Sequence, residues 1–300
     1  MNWTNTALLA TLLGSAVSII DSHLLSRRMP SIRAFLLPMS IIMFISGLIV
    51  AGVQPWPESV PIRAILAITG STILSISATL ITFFNLRREE VSRVVPILSI
   101  SPVFTTIIAT LFLHERPGYL QWLAIVIIAA GAAIITMERS PYGSTGSWKK
   151  PFMLLFAASL LIAVSSNLTK YALGYVSFWN MYSVTIIITS IVFMVISVRP
   201  ATIKQLKEMR KRNSTLALYM LNEAIALTSA VLHIRAISLG PISLVATIMG
   251  TRPVLTAIYS MILGIVMPGF LMRYTSNRVM VYRFIAIFMI VSGVSIIYLT

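Results

Sequence analysis

Apolar residues run along this chain in ten stretches, each closed by a short polar or basic segment: near 6–25, 33–53, 62–84, 91–113, 119–137, 151–171, 178–198, 214–235, 241–265 and 279–299. A helix rising about 1.5 Å per residue needs about 20 apolar residues to cross a hydrocarbon core of roughly 30 Å, and each stretch supplies them. The pattern predicts an all-α membrane protein of ten transmembrane helices. The fourth stretch follows a charged knot, Arg87, Arg88, Glu89, Glu90 and Arg93, and is closed by His114-Glu115-Arg116. Pro96 and Pro102 interrupt it, and hydroxyls at Ser99, Ser101, Thr105 and Thr106 lie close enough to satisfy the carbonyls they free. In the third stretch, Gly70, Ser71, Ser75, Ala78, Thr79 and Thr82 make a stripe of small residues that predicts close helix packing.

The fourth stretch is written twice. Placing Pro102 on Pro253 without a gap sets Val91-Ser92 against Ile242-Ser243, Val94 against Val245, and Pro102-Val103-Phe104-Thr105 against Pro253-Val254-Leu255-Thr256. Ala16-Val17-Ser18 against Ala163-Val164-Ser165 carries the repeat back to the first span of each half. Residues 1–139 and 151–300 are therefore expected to be two five-helix repeats, joined by a turn-rich linker at 140–150. Because five is odd, the second half enters the membrane from the opposite side. The repeats are inverted, an arrangement that in transporters surrounds a midplane site opened to either face by rocking.

Ser101-Pro102-Val103-Phe104, His114-Glu115-Arg116 and Gly131 in the first half, with Leu239-Gly240-Pro241-Ile242-Ser243, Arg252-Pro253-Val254-Leu255 and Gly293 in the second, resemble a ten-helix permease of the drug/metabolite transporter superfamily, EamA type. The resemblance makes Pro102, Glu115 and Pro253 structural motif positions and implies transport, most relatives being exporters. It is silent on substrate. The chain departs from the pattern after Ile265, where Val266 and Met267 replace the expected acidic turn.

Composition agrees with a membrane chain: 57% of residues are hydrophobic and 10% charged, against about 25% charged in soluble domains. The net charge of +15 is confined to connections between apolar spans, so it reads as a topology signal and not as a nucleic-acid footprint. Connections 1–2, 3–4, 5–6, 7–8 and 9–10 hold eighteen Lys or Arg, whereas the termini and the other four connections hold Arg63, Arg116 and Arg235. Basic connections stay cytoplasmic, which puts both termini outside a multi-pass protein of the cell (inner, cytoplasmic) membrane. Relatives of the resembled type usually keep both termini inside, and the charge count is followed here. Met1 to Thr6 lack a basic leader region, so the first span is expected to be retained. The connection 199–213 reads either as a short helix on anionic headgroups, at about 1 kcal/mol per basic residue, or as a solvated loop.

Two of the eight acidic residues, Asp21 and Glu223, fall inside spans, where ionisable groups face a cavity or a partner. Asp21 is a coupling candidate, or else an interfacial partner of Arg27 and Arg28. Counting helical rise puts Glu223 roughly 13 Å and Arg252 roughly 20 Å from the same face. They are expected to come within reach, either as a structural ion pair or as a site where substrate or a proton breaks the pair. Asn222 adds a hydrogen-bonding group, turned about 100° away. Lys170, beside Asn167, snorkels to the headgroups or points inward to make with Arg252 a route for an anion. Tyr259 lines a cavity or packs.

No catalytic residue, metal site or cofactor is expected: cysteine is absent, the three histidines are scattered, and HExxH and phosphate-loop motifs are missing. The expected function is a secondary transporter that moves a small metabolite or amphiphilic compound by alternating access, with export as the direction the resemblance implies. The alternatives are a flippase for a lipid or lipid-linked carrier, and a membrane enzyme or scaffold. Expected partners are a small-molecule substrate and the lipid bilayer, with protons as the candidate coupling ion and no nucleic acid; oligomeric state is not legible.

Overall fold

The computed structural model describes residues 2–89, 91–98, 100–136, 149–209 and 212–266, with 285, 288–289, 291–296 and 299 beyond them. All regular structure among these residues is helical, with non-helical connections such as 54–61 and 113–118 between. In order come α1 (Trp3–His23), α2 (Ile32–Val53), α3 (Ile62–Leu86), α4 (Val91–Leu98), α5 (Ser101–Phe112), α6 (Tyr119–Thr136), α7 (Lys149–Ala172), α8 (Phe178–Ser197), α9 (Pro200–Lys207), α10 (Arg212–Leu239), α11 (Ile242–Met249) and α12 (Arg252–Val266). Asn2, Ser31 and Ser177 cap α1, α2 and α8, each accepting a hydrogen bond from a first-turn N–H. Seven helical stretches among the described residues are long and apolar enough to cross a membrane, and α5 and part of α6 are shorter apolar helices. Ile45, Ile49 and Val195 are 53%, 61% and 76% exposed. Apolar faces of that kind require lipid against them. The protein is an all-α membrane protein.

Two expected spans are not continuous. The fourth, 91–113, is divided between Leu98 and Ser101, and the ninth, 241–265, between Met249 and Arg252. In each case the proline stands second in the downstream piece, Pro102 in α5 and Pro253 in α12. There its missing N–H costs nothing, because first-turn donors have no intrahelical acceptor. Expected spans one, eight and five begin or end within a few residues of α1, α10 and α6. Most of the tenth span and of the 140–150 linker lies outside the described residues.

Exchange of the two halves leaves the helix neighbours unchanged. The main partner of α1 is α10 and that of α3 is α7, which are one pairing seen from each half; α2 packs on α8, its own counterpart. The broken spans meet head to tail, α5 on α11 and α4 on α12. An antiparallel crossing of this kind is what inverted repeats require. At the crossing a Cβ on Gly250 would lie 2.9 Å from Pro102 Cγ, so the two breaks are in contact. Close packing elsewhere uses the small residues. Ser165 Oγ donates to the Ser71 carbonyl at 2.8 Å across α7 and α3, and Gly47 admits Ile187 of α8 against α2.

The connection after α8 is helical as α9, with Leu206 and Met209 against the bundle and Ile203 43% exposed. Residues 200–207 of this connection are thus a short helix. Arg27, Arg28, Arg33, Arg87, Arg88 and Arg199 lie just past the ends of α1, α3 and α8 or at the start of α2, and Lys204 and Lys207 lie in α9, hence at one basic end of the bundle.

Candidate functional site

The breaks place a charge at the crossing. Arg252 opens α12 inside the apolar span, beside the second proline; Pro253 has no N–H, and the Val254 and Leu255 N–H groups donate to the Thr251 carbonyl at 3.1 and 3.4 Å, so the positive charge there is the guanidinium itself. Arg252 has room because α1 carries Gly14 opposite it: a Cβ there would lie 2.7 Å from Arg252 Nη2 and 3.2 Å from Ser229 Oγ. Ser229 is fixed by donating to the Ala10 carbonyl at 2.9 Å, and Arg252 Nε is buried without a partner. His233, one turn further along α10, lies close enough to feel the guanidinium charge. This is a half-open cationic centre between α1, α10 and α12.

A second polar group lies nearer the basic end. Asn222 Nδ2 donates to Asp21 Oδ1 at 2.7 Å between α10 and the last turn of α1. Glu223 is 1% exposed, and its electrostatic neighbours are Asp21 and Tyr219. Tyr219 spends its hydroxyl hydrogen on the Phe35 carbonyl at 2.7 Å. Glu223 Oε2 and Asn222 Oδ1 are thus buried acceptors without a donor. Just past Asp21, α1 widens into a π turn at Leu24–Arg28, closed by Met29 N–H donating to the Leu24 carbonyl at 2.7 Å. Two carboxyl groups and an amide oxygen in one pocket of protein can hold a proton or another small cation between them.

Glu223 and Arg252 do not meet. Glu223 Oε2 and Arg252 Nε are each unpartnered, and the charged neighbours of one are not those of the other. Arg252 is level with Ser229, six residues along α10 from Glu223, a distance of roughly 9 Å at helical rise. The expectation that the counted depths bring the two within reach of each other does not hold in this arrangement. Asn222, which helical geometry turns away from Glu223, instead ties Asp21 into the same pocket.

Lys170 does not snorkel. Its ammonium donates to the carbonyls of Ile237 and Gly240, at 2.8 and 2.7 Å, closing the C-terminal end of α10. Glu115 closes the next helix: its carboxylate accepts from Ile242 N–H at 2.7 Å, from Ser243 N–H at 3.1 Å and from Ser243 Oγ at 2.6 Å. A cation at a helix end and an anion at a helix start both match the backbone dipoles. The α10–α11 corner is therefore clasped from two sides, and Lys170 and Glu115 also attract each other. The motif residue Glu115 is a cap. Its distance in sequence from residue 242 hid this role, although a carboxylate beside a Pro-Ile-Ser helix start was a usable signal.

The remaining candidates have plain partners. Asn167 Nδ2 donates to the Ala163 and Thr105 carbonyls, at 2.9 and 3.2 Å, leaving Oδ1 buried and unpartnered, and Tyr259 OH donates to the Leu12 carbonyl at 3.4 Å. Gly14 and Ser229, which shape the space around Arg252, were not singled out by sequence. Among the described residues, no group of three or more His, Cys, Asp or Glu is arranged to hold a metal ion.

Comparison with known proteins agrees with the geometry. The EamA-like transporter family matches residues 2–137. A protein of Sinorhizobium sp named "Uncharacterized transporter in cobO 3'region" is 30% identical over 99 residues, which are 32% of this chain and 70% of that protein. A solved crystal structure with 15% sequence identity superposes with a TM-score of 0.65, covering 98% of this chain and 95% of its own, which shows the shared fold. A chain with these paired, broken spans and this family match is a membrane transporter and not an enzyme, and it belongs to the EamA-like transporter family.

Proposed function

We propose that the protein is a secondary transporter of the cytoplasmic membrane that moves a small anionic metabolite, one bearing a carboxylate or phosphate, by alternating access. The observation that carries this is Arg252, a cation at the start of a half-helix inside the bundle with its Nε unpartnered. Half-helix N-termini directed at anionic groups are how transporters of inverted repeats bind such substrates. The polar interior around Arg252, Asp21 and Glu223 favours a solute over the acyl chains that a flippase would handle. Export is the direction carried over from the resemblance. The halves 1–139 and 151–300 interleave through α1–α10, α2–α8 and α3–α7, so each body that would rock holds helices of both halves.

In this reading Asp21, Asn222 and Glu223 form the coupling site. Protonation of the carboxyl pair and occupation of Arg252 are separate events on α1 and α10, linked through the tilt of those helices and not by exchange of one ion-pair partner. Both termini lie outside, supported by the basic end formed by α1, α2, α3, α8 and α9. Proteoliposomes loaded with a panel of amino acids, phosphorylated sugars and cationic drugs test the substrate class. Anions should move and cations should not; uptake of cationic drugs with no anion transport rejects the proposal. Asp21→Asn and Glu223→Gln should each flatten the pH dependence of transport.

A further inference from the structure

We propose that the basic end of the bundle holds a binding site for a phosphate group, in the cleft between the start of α2, the end of α3 and the start of α9. A cavity of about 340 Å³ opens there, lined by Arg33, Arg87, Arg88 and Arg199 with no Asp or Glu among its lining residues. That volume falls within the range of small-molecule sites, roughly 300–1,000 Å³. Four guanidinium groups around one space repel each other unless an anion sits between them. All four are arginines, the side chain whose planar fork matches phosphate oxygens in pairs.

The surroundings hold these groups in place. Arg87 Nη2 donates to the Pro30 carbonyl at 2.6 Å, and Arg88 lies over the Phe84 ring at 4.1 Å. Ser31 Oγ donates to Gln205 Oε1 at 2.7 Å, which leaves the Gln205 amide N–H groups for another acceptor in the same cleft. Ala201, in the first turn of α9, lines the cavity; Pro200 has no N–H, and the Thr202 and Ile203 N–H groups donate to the Arg199 carbonyl at 2.9 and 3.2 Å, so the Ala201 N–H is the backbone donor left in that turn. Arginines from three segments thus surround one space, with the Gln205 amide beside them.

Position along the bundle narrows the source of that anion. The cleft lies where three apolar spans end, at Ile32, Leu86 and Ser197, which is the level of lipid headgroups. Phe84, in its wall, is 40% exposed on the outward face of α3. A phosphodiester of an anionic lipid reaches such a site from the bilayer, and a soluble phosphate reaches it from water. The site is separate from Arg252 and the carboxyl pair, which lie between α1, α10 and α12.

The test uses the full chain in detergent and the double substitution Arg33→Gln, Arg199→Gln; both side chains are exposed, so the variant is expected to fold, as size exclusion and helical signal will verify. Native mass spectrometry should show phosphatidylglycerol retained at least tenfold over phosphatidylcholine by the unaltered protein, with that preference lost in the double variant. Arg63→Gln, at the opposite end, should keep it. In a second arm, inorganic phosphate is compared with chloride at equal ionic strength. If phosphate raises the melting temperature of the unaltered protein but not of the double variant, while no lipid preference is seen, the site stands and its ligand is soluble. Equal lipid retention and equal phosphate response in the two proteins overturn the proposal.

Discussion

Glu115 and Ser243 are joined twice, the carboxylate accepting from both the hydroxyl and the N–H of the serine, so that the end of one repeat's broken span caps the start of the other's. Charge-assisted hydrogen bonds of this kind contribute roughly 1.5–3 kcal/mol each, and a lost cap costs about 1 kcal/mol. Glu115→Ala should therefore lower the melting temperature in detergent and speed labelling of a cysteine placed at Ser238, while Glu115→Gln keeps part of both. Unchanged melting and labelling in Glu115→Ala would show that the corner does not need its clasp.

Gly14 gives a way to move Arg252 without altering its charge. An alanine there would place Cβ 2.7 Å from Nη2, the mobile end of a flexible side chain, so the guanidinium must shift while the backbone need not. Gly14→Ala is expected to keep its folded yield and lose at least tenfold in transport. Gly47→Ala presses on Ile187 Cγ1 at 2.6 Å instead, within the α2–α8 contact, where overpacking costs about 1–3 kcal/mol. That variant should lose stability first.

Separation of Glu223 from Arg252 has a measurable signature. A structural ion pair would make Glu223→Gln rescue Arg252→Gln, because the second change removes the stranded charge. With the two apart, effects on stability should add to within about 0.5 kcal/mol. A double-mutant cycle on thermal or denaturant unfolding decides; a coupling above about 1 kcal/mol would restore the pair.

Orientation follows from the basic end. Because the chain has no cysteine of its own, single cysteines at Asn5 and Ser147 report the two faces directly. An impermeant thiol reagent on intact cells should label Asn5→Cys and leave Ser147→Cys unlabelled until the membrane is opened. The reverse result places both termini inside.

What could be read from the residues and what could not divide along one physical line. Apolar length found the spans, and the gapless alignment of Pro102 with Pro253 pointed to the two interrupted ones, since both are properties of the chain taken one stretch at a time. Position along a helix is equally legible, because helical rise is fixed. Azimuth was not: whether Lys170 faces lipid or the α10 carbonyls, and whether Glu223 faces Arg252 or Asp21, depends on how helices far apart in sequence are turned toward each other. Glu115 and Gly14 were hidden for the same reason. The prolines marked the breaks, but a proline alone does not distinguish a kink from two separate helices.

The exchange of partners between the halves has a consequence for how the protein is made. The principal neighbours of α1, α2 and α3 are α10, α8 and α7, all in the second half. When the first half leaves the ribosome, its spans can insert in the bilayer but cannot find their permanent contacts, and α1 must wait for more than 200 residues of further synthesis. Long sequence separation makes such contacts slow to form. Assembly is therefore a late, concerted event, and until it happens Asp21 has no Asn222 to hold it. A chain cut within 140–150 should yield two fragments that are degraded when expressed singly and recovered together when expressed as a pair.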